Sequence, residues 1–165
     1  MSTTLLEPGD ERLRRLSVAV RFPDETLDRL LADLNEVLVR QRAIGVSAPQ
    51  IGTNRQVALV RVADRAIVLV NPRVLESSGS QVGWEGCLSI PERVGWVERP
   101  QLVVVEARDQ RGRLQRYQAA GLAARAMIHE IDHLTGRLYV DGLDPELIVD
   151  TQLHPTPPSM PPQLR

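Results

Sequence analysis

The sequence predicts an α+β fold in which antiparallel β-sheets pack around a central helix, with an amphipathic helix near the N-terminus. Three observations carry this reading. Apolar residues fall at Leu27, Leu30, Leu31, Leu34, Val37 and Leu38 with charges between them, the 3.6-residue stripe of a half-buried helix. Short β-prone runs then cluster between residues 56 and 117 instead of alternating with helices. Residues 119–134 are rich in Ala and Leu, lack Pro and hold a single Gly near their start, a composition that favours helix.

Taken in order, residues 1–9 read as loosely ordered, 10–15 as a short helical turn and 17–20 as an extended piece. Asp24 or Thr26 is placed to cap the amphipathic helix, which ends near Arg42 and whose apolar face reads as core packing. The runs 56–62 and 66–70, separated by Ala63-Asp64-Arg65, predict a hairpin, with Asn71-Pro72 ending the second run. Ser77-Ser78-Gly79-Ser80 reads as a loop. A second hairpin is predicted where the runs 102–108 and 113–117 flank Asp109-Gln110-Arg111-Gly112. After the central helix, residues 137–140 read as a last short strand. From His154 the tail runs Pro-Thr-Pro-Pro-Ser-Met-Pro-Pro, which reads as disordered or polyproline-like. The expected division is one domain over residues 1–150 and a Pro-rich tail over 151–165.

Composition narrows the function. A chain of 165 residues, 42% hydrophobic and 25% charged, has the makeup of an ordinary single globular domain. A net charge of -1 and an aromatic content of 3% argue against nucleic-acid binding, which calls for a basic surface or a stacking platform. All 20 basic residues are Arg, so no lysine is present for a P-loop or a Schiff base. No apolar run approaches membrane-spanning length, and the N-terminus lacks the apolar core of a signal peptide. A single Cys fits a reducing compartment, and the expected location is the cytoplasm.

The central helix carries the chemistry. His129 and His133 stand four residues apart, so both imidazoles project from one helix face, and Glu130 follows the first directly. On a helix, His-Glu-x-x-His is a metal-binding pattern: two His hold the ion and the Glu serves as general base. Only three His occur in the chain, so two at this spacing around a Glu favour a metal centre over a chance surface pair. A catalytic site of this kind needs a third protein ligand. Downstream, as in His-Glu-x-x-His peptidases, the acceptable types are Glu146 and His154; upstream lies the lone Cys87, in Trp84-Glu85-Gly86-Cys87-Leu88-Ser89. A lone Cys is most often a small buried hydrophobe, whereas a ligating one would be held as thiolate by the ion.

Three motifs in order make the chain resemble the peptide deformylases, metal hydrolases that remove the N-formyl group from newly made proteins. The family's Gly-x-Gly-x-Ala-Ala-x-Gln appears as Ala43-Ile44-Gly45-Val46-Ser47-Ala48-Pro49-Gln50. Its Glu-Gly-Cys-Leu-Ser is intact at Glu85 to Ser89, and its His-Glu-x-x-His, with Asp before the second His, is intact at His129 to His133. The opening Leu5-Leu6-Glu7-Pro8-Gly9-Asp10 is also similar to the family's. Ala43 and Ser47 depart from the first motif; Ala is costly at position 43 only if positive φ is required there.

The resemblance implies the following roles. Cys87, His129 and His133 would hold one divalent ion, Fe2+ in the native protein, with Zn2+ or Ni2+ able to occupy the site. Glu130 would be the acid/base, with Leu88 N–H and the Gln50 amide as oxyanion donors. Main-chain groups near Ile44, Gly45 and Gly86 would hold an N-formylmethionyl peptide as an added strand. Leu122 and Ala126 would line the pocket for the Met side chain. Arg99 would pair with Glu85 to brace the Cys loop, and Asp132 would orient a ligand or nearby backbone. A ribosome contact in the family tends to involve a C-terminal extension; this tail has no strong helical signal, so that contact is not carried over. Two other readings compete: a peptidase with a downstream third ligand, and a non-catalytic module that keeps the fold.

Overall fold

A computed structural model describes residues 3–157 and residue 159. The amphipathic helix, α1 (Leu27–Arg40), buries the predicted stripe from Leu27 to Leu38. Thr26 occupies its N-cap position without a side-chain cap bond; Asp24 instead accepts from Thr26 N at 2.9 Å and from its hydroxyl at 2.7 Å. Next come β1 (Gly45–Ser47), a 3-10 turn over Ala48–Ile51 and β2 (Val57–Val62). The strands β3 (Arg65–Ser78), β4 (Gln81–Cys87), β5 (Ile90–Arg99), β6 (Leu102–Arg108) and β7 (Leu114–Ala120) follow. The central helix is α2 (Gly121–Leu134), and β8 (Ile148–Asp150) closes the order. Two antiparallel sheets result, a five-stranded one in the order β1-β2-β3-β6-β7 and a three-stranded one in the order β4-β5-β8. The α+β architecture around a central helix is as the sequence predicts.

Strand β2 explains how one sheet serves two helices. Val57 and Leu59 pack in the cluster of α1, while Ala58 and Val60 pack in the cluster of α2. Alternate side chains point to opposite faces, so a strand covered on both sides reads as a continuous apolar run. A smaller cluster of Ile90, Val97, Leu138 and Tyr139 supports the second sheet.

Several local expectations are corrected. Residues 3–9 are tied down: Leu6 N donates to Gln50 O at 2.7 Å, Thr3 N and its hydroxyl donate to Glu36, and Leu5 packs on the α1 cluster. Ala119 and Ala120 end β7, and the helix starts at Gly121. Residues 137–140 form turns, not a strand: Gly136, at φ 75°, reverses the chain after α2, and Leu138 N donates to Asp141 Oδ2. The last strand is Ile148–Asp150, paired with Arg93–Gly95. The Pro-rich tail expected over 151–165 falls in part outside the described residues; Thr151 N, at its start, donates to Glu92 O at 2.7 Å.

Asn71-Pro72 does not end the second run, and Ser77 and Ser78 belong to the strand. Strand β3 continues to Ser78 through a register shift between Val70 and Arg73, moving from its pairing with β2 to its pairing with β6. Asn71 sits at φ 50°, a left-handed conformation that Asn tolerates better than most residues. Its Oδ1 accepts from Val20 N at 2.8 Å and its Nδ2 donates to Val20 O at 2.9 Å, so the side chain replaces a strand partner. Replacing Asn71 with Ala should leave both Val20 groups unpaired and cost about 1–3 kcal/mol, read from denaturant unfolding. An unchanged midpoint would show that this bulge needs no side-chain partner.

Candidate metal centre and active site

The 3.6-residue repeat of α2 sets Arg125, His129 and His133 on one face, one turn apart, and all are buried. The hairpin of β4 and β5 brings Cys87 to the same place, at the register shift where Gly86 faces Val94 and Cys87 faces Ile90. The Cys87 thiol and one ring nitrogen from each His lie within 4.8 Å of one another, and these are the metal-competent group found among the described residues. Cys87 Sγ is 3.2 Å from His133 Nε2, which is 3.2 Å from His129 Nε2. Glu146 and His154 are exposed and outside this group, which removes the downstream-ligand alternative.

Glu85 organises the donors from behind. Its carboxylate accepts from His129 Nδ1 at 2.6 Å, from Arg99 Nη2 and Nε at 2.6 and 3.0 Å, and from Arg125 Nη1 at 2.9 Å. Burial by itself would raise the Glu85 carboxyl, but His129 and the arginine bring it down to about 2. With Nδ1 committed to a carboxylate, His129 turns its Nε2 toward the cluster, the arrangement expected behind a metal-ligating imidazole. One thiol and two imidazoles so oriented suit a divalent transition ion. Asp132 accepts from Arg99 Nη1 at 2.7 Å, on the guanidinium that also bonds Glu85.

The site acts in opposite directions on its two imidazoles. Burial opposes a charged His129, yet its bonds to Cys87 and Glu85 and the nearby Glu130 raise it to about 10. His133 is driven well below its ordinary value, first by burial and then by the charge on His129. Burial also pushes Glu130 up to about 7, against the opposing pull of His129 and the Ser47 hydroxyl. Glu130 Oε2 is buried without a protein partner, and a Cβ placed on Gly45 would lie 2.5 Å from Oε1.

A cavity of about 450 Å³ opens onto the centre. Ile44, Gly45, Gln50, Gly86, Cys87, Leu88, His129 and Glu130 line it, as do Leu122 and Ala126 from α2. Gln50 Nε2 donates to Cys87 Sγ at 3.4 Å. Two neighbours escaped the sequence reading. Arg125 lines the cavity, donates to Glu85 and Val97 O, and was signalled by its place one turn before His129. Tyr139 stacks on His129 with ring centroids 6.1 Å apart, and its hydroxyl donates to Arg93 O; no spacing rule marks it.

Fold and centre together define a hydrolase whose metal site joins a helical His-Glu-x-x-His to a cysteine from a β-hairpin. Residues 3–147 match the polypeptide deformylase family model. A peptide deformylase of Caldicellulosiruptor bescii is 46% identical over 132 residues, 80% of each chain. The crystal structure of a peptide deformylase from Legionella pneumophila aligns with TM-score 0.84 at 36% identity, covering 88% of each chain. A class I type b peptide deformylase from Acinetobacter baumannii, bound to Met-Ala-Ser, aligns with TM-score 0.81 at 30% identity over 87% of this chain and 100% of that one. The chain belongs to the peptide deformylase family, and its activity is metal-dependent removal of the N-formyl group from nascent peptides.

Replacing Cys87 with Ala should abolish stoichiometric metal binding, because the two His that remain leave the ion held largely by water. Metal analysis of the purified variant checks this. Full retention would remove Cys87 from the centre.

Proposed function

We propose that Cys87, His129 and His133 hold ferrous iron, that Glu130 moves the protons, and that Leu88 N–H and the Gln50 amide stabilise the oxyanion. Zinc or nickel could take the same three donors, since a thiolate and two imidazoles suit each of these ions. When bound, the ion supplies Lewis acidity and lowers the pKa of a water at the centre. Glu130 takes a proton from the attacking water as the formyl carbon becomes tetrahedral. The negative charge on its oxygen meets the Leu88 N–H and Gln50 Nε2, donors fixed before the reaction. Glu130 then delivers the proton to the leaving amine, and formate and a free N-terminus result.

The observation that carries this reading is the position of Glu130. Its carboxylate is buried beside the three donors with Oε2 unengaged, and at about 7 it can both accept and return a proton near neutral pH. Ile44, Gly45 and Gly86 line the cavity, and main-chain groups near them would pair with the peptide as an added strand, with little demand on sequence. The first side chain enters beside Leu122 and Ala126, where an unbranched Met thioether fills apolar space well. The Acinetobacter relative holds Met-Ala-Ser, the product expected from a formylated start, which supports the same substrate here. Action on newly made chains implies work in the cytoplasm; no helix of the described residues is long and apolar enough to cross a membrane.

Offered formyl-Met-Ala-Ser, the iron- or nickel-loaded protein prepared without oxygen should release formate and leave internal bonds of unformylated peptides intact. The formyl carbon carries only hydrogen beyond its amide, whereas an internal carbonyl would bring a whole upstream residue into the space between Cys87 and Gln50. Internal cleavage without formate would replace this reading with a peptidase.

Glu130→Gln should keep the metal and the fold while turnover falls by about 10² to 10⁴-fold, the usual worth of acid–base catalysis. Near-normal turnover with metal bound would assign the proton transfer to another group.

A further inference from the structure

We infer that Ser47 is a positioning residue for Gln50, its hydroxyl fixing which end of that amide faces the reacting carbonyl. The inference rests on Gln50 as an oxyanion donor. An amide side chain has a donor end and an acceptor end of nearly equal shape, so packing alone does not choose between them. Turned the wrong way, Gln50 would set a carbonyl oxygen against a developing negative charge.

Ser47 makes the choice. Its N–H donates to Gln50 Oε1 at 2.8 Å and its hydroxyl donates to the same oxygen at 3.0 Å. The hydroxyl oxygen also accepts from the Gln50 backbone N–H, closing a reciprocal cap on the 3-10 turn Ala48–Ile51. Both residues are at most 1% exposed, so water cannot substitute for these bonds. With Oε1 held by two donors, Nε2 is left to face Cys87 Sγ at 3.4 Å. Reversing the amide would point its NH2 at two donors and is disfavoured.

Any residue at position 47 would supply the N–H. The hydroxyl is what Ser adds, at a position where the family motif has Ala, and it also lies near enough to Glu130 to oppose the upward push of burial on that carboxyl. Strand β1 fixes its direction: Ser47 pairs with Ala58 and has φ −121°, so its side chain is aimed by the sheet rather than by a mobile loop. One side chain thus stands between the oxyanion donor and the acid/base.

Ser47→Ala tests this. With formyl-Met-Ala-Ser, kcat should fall about 3- to 10-fold, the worth of one net hydrogen bond, while KM stays within about 2-fold. Metal content should match the parent and the fold should persist, with the thermal midpoint lowered by a few degrees because the buried Gln50 backbone N–H loses its acceptor. In heteronuclear NMR the Gln50 side-chain NH2 signals, sharp in the parent, should broaden as the amide samples both orientations. In a Gln50→Met background, which lacks the amide, Ser47→Ala should have no further effect on kcat. An unchanged kcat in Ser47→Ala, or an equal fall in both backgrounds, would overturn the inference and leave the Gln50 assignment standing. Parental turnover by Gln50→Met would overturn that assignment and this inference with it.

Discussion

The buried carboxylate of Glu85 is the interaction on which the centre depends. It lies on β4 and receives Arg99 from β5 and Arg125 and His129 from α2. The three-stranded sheet is thereby fastened to the helix that carries both His, and Cys87, two residues beyond Glu85, is held in place by the same contact. A buried ion pair adds little net stability, because desolvation offsets attraction, but removing one partner costs about 3–5 kcal/mol. Its value here is geometric. The hairpin cannot slide along α2 without stranding two guanidinium groups away from water, so the relation of thiol to imidazoles is fixed before any ion binds.

The charges around that hub lead to a second consequence. The guanidinium groups of Arg99 and Arg125 neutralise Glu85, while Cys87 and Glu130 lie beside the two imidazoles. His129 is drawn toward its charged form and His133 away from it, so the pair favours one positive charge, not two. A divalent ion would engage Cys87 and both imidazoles together, which a single proton cannot do.

What was legible in the sequence follows from how local each feature is. Helix α1, the two hairpins β2–β3 and β6–β7, and the His pair of α2 rest on periodicities confined to a few turns or residues, and the sequence shows them directly. Strands β4 and β5 are harder to see, because Gly83, Gly86, Pro91 and Gly95 interrupt their alternation. What holds them is non-local: Trp84 faces Trp96 across the ladder with ring centroids 5.1 Å apart, and Glu85 is anchored by α2. The continuation of β3 past Asn71-Pro72 depends on Val20, some fifty residues away, which no local turn rule can include. Pairing Cys87 with the two His likewise required the family's motif order, since spacing alone left Glu146 and His154 open.

The loop from Arg42 to Gly52 shows how a departure from a motif can be harmless at one position and useful at another. Positive φ falls on Arg42, at 51°, and not on Ala43, so Ala in place of Gly meets no backbone penalty and its methyl joins the α1 cluster. Gly45 has no such latitude. A Cβ there would overlap the Glu130 carboxylate, so Gly at this position leaves the space that Glu130 occupies. Two positions further, the Ser47 hydroxyl donates to Gln50 Oε1. Clearance at one residue and a hydrogen-bonding group at the next inward-facing one follow from the two-residue repeat of a strand. Strand β1 thus positions both Glu130, by the clearance at Gly45, and Gln50, by the bonds from Ser47, from one edge of the sheet.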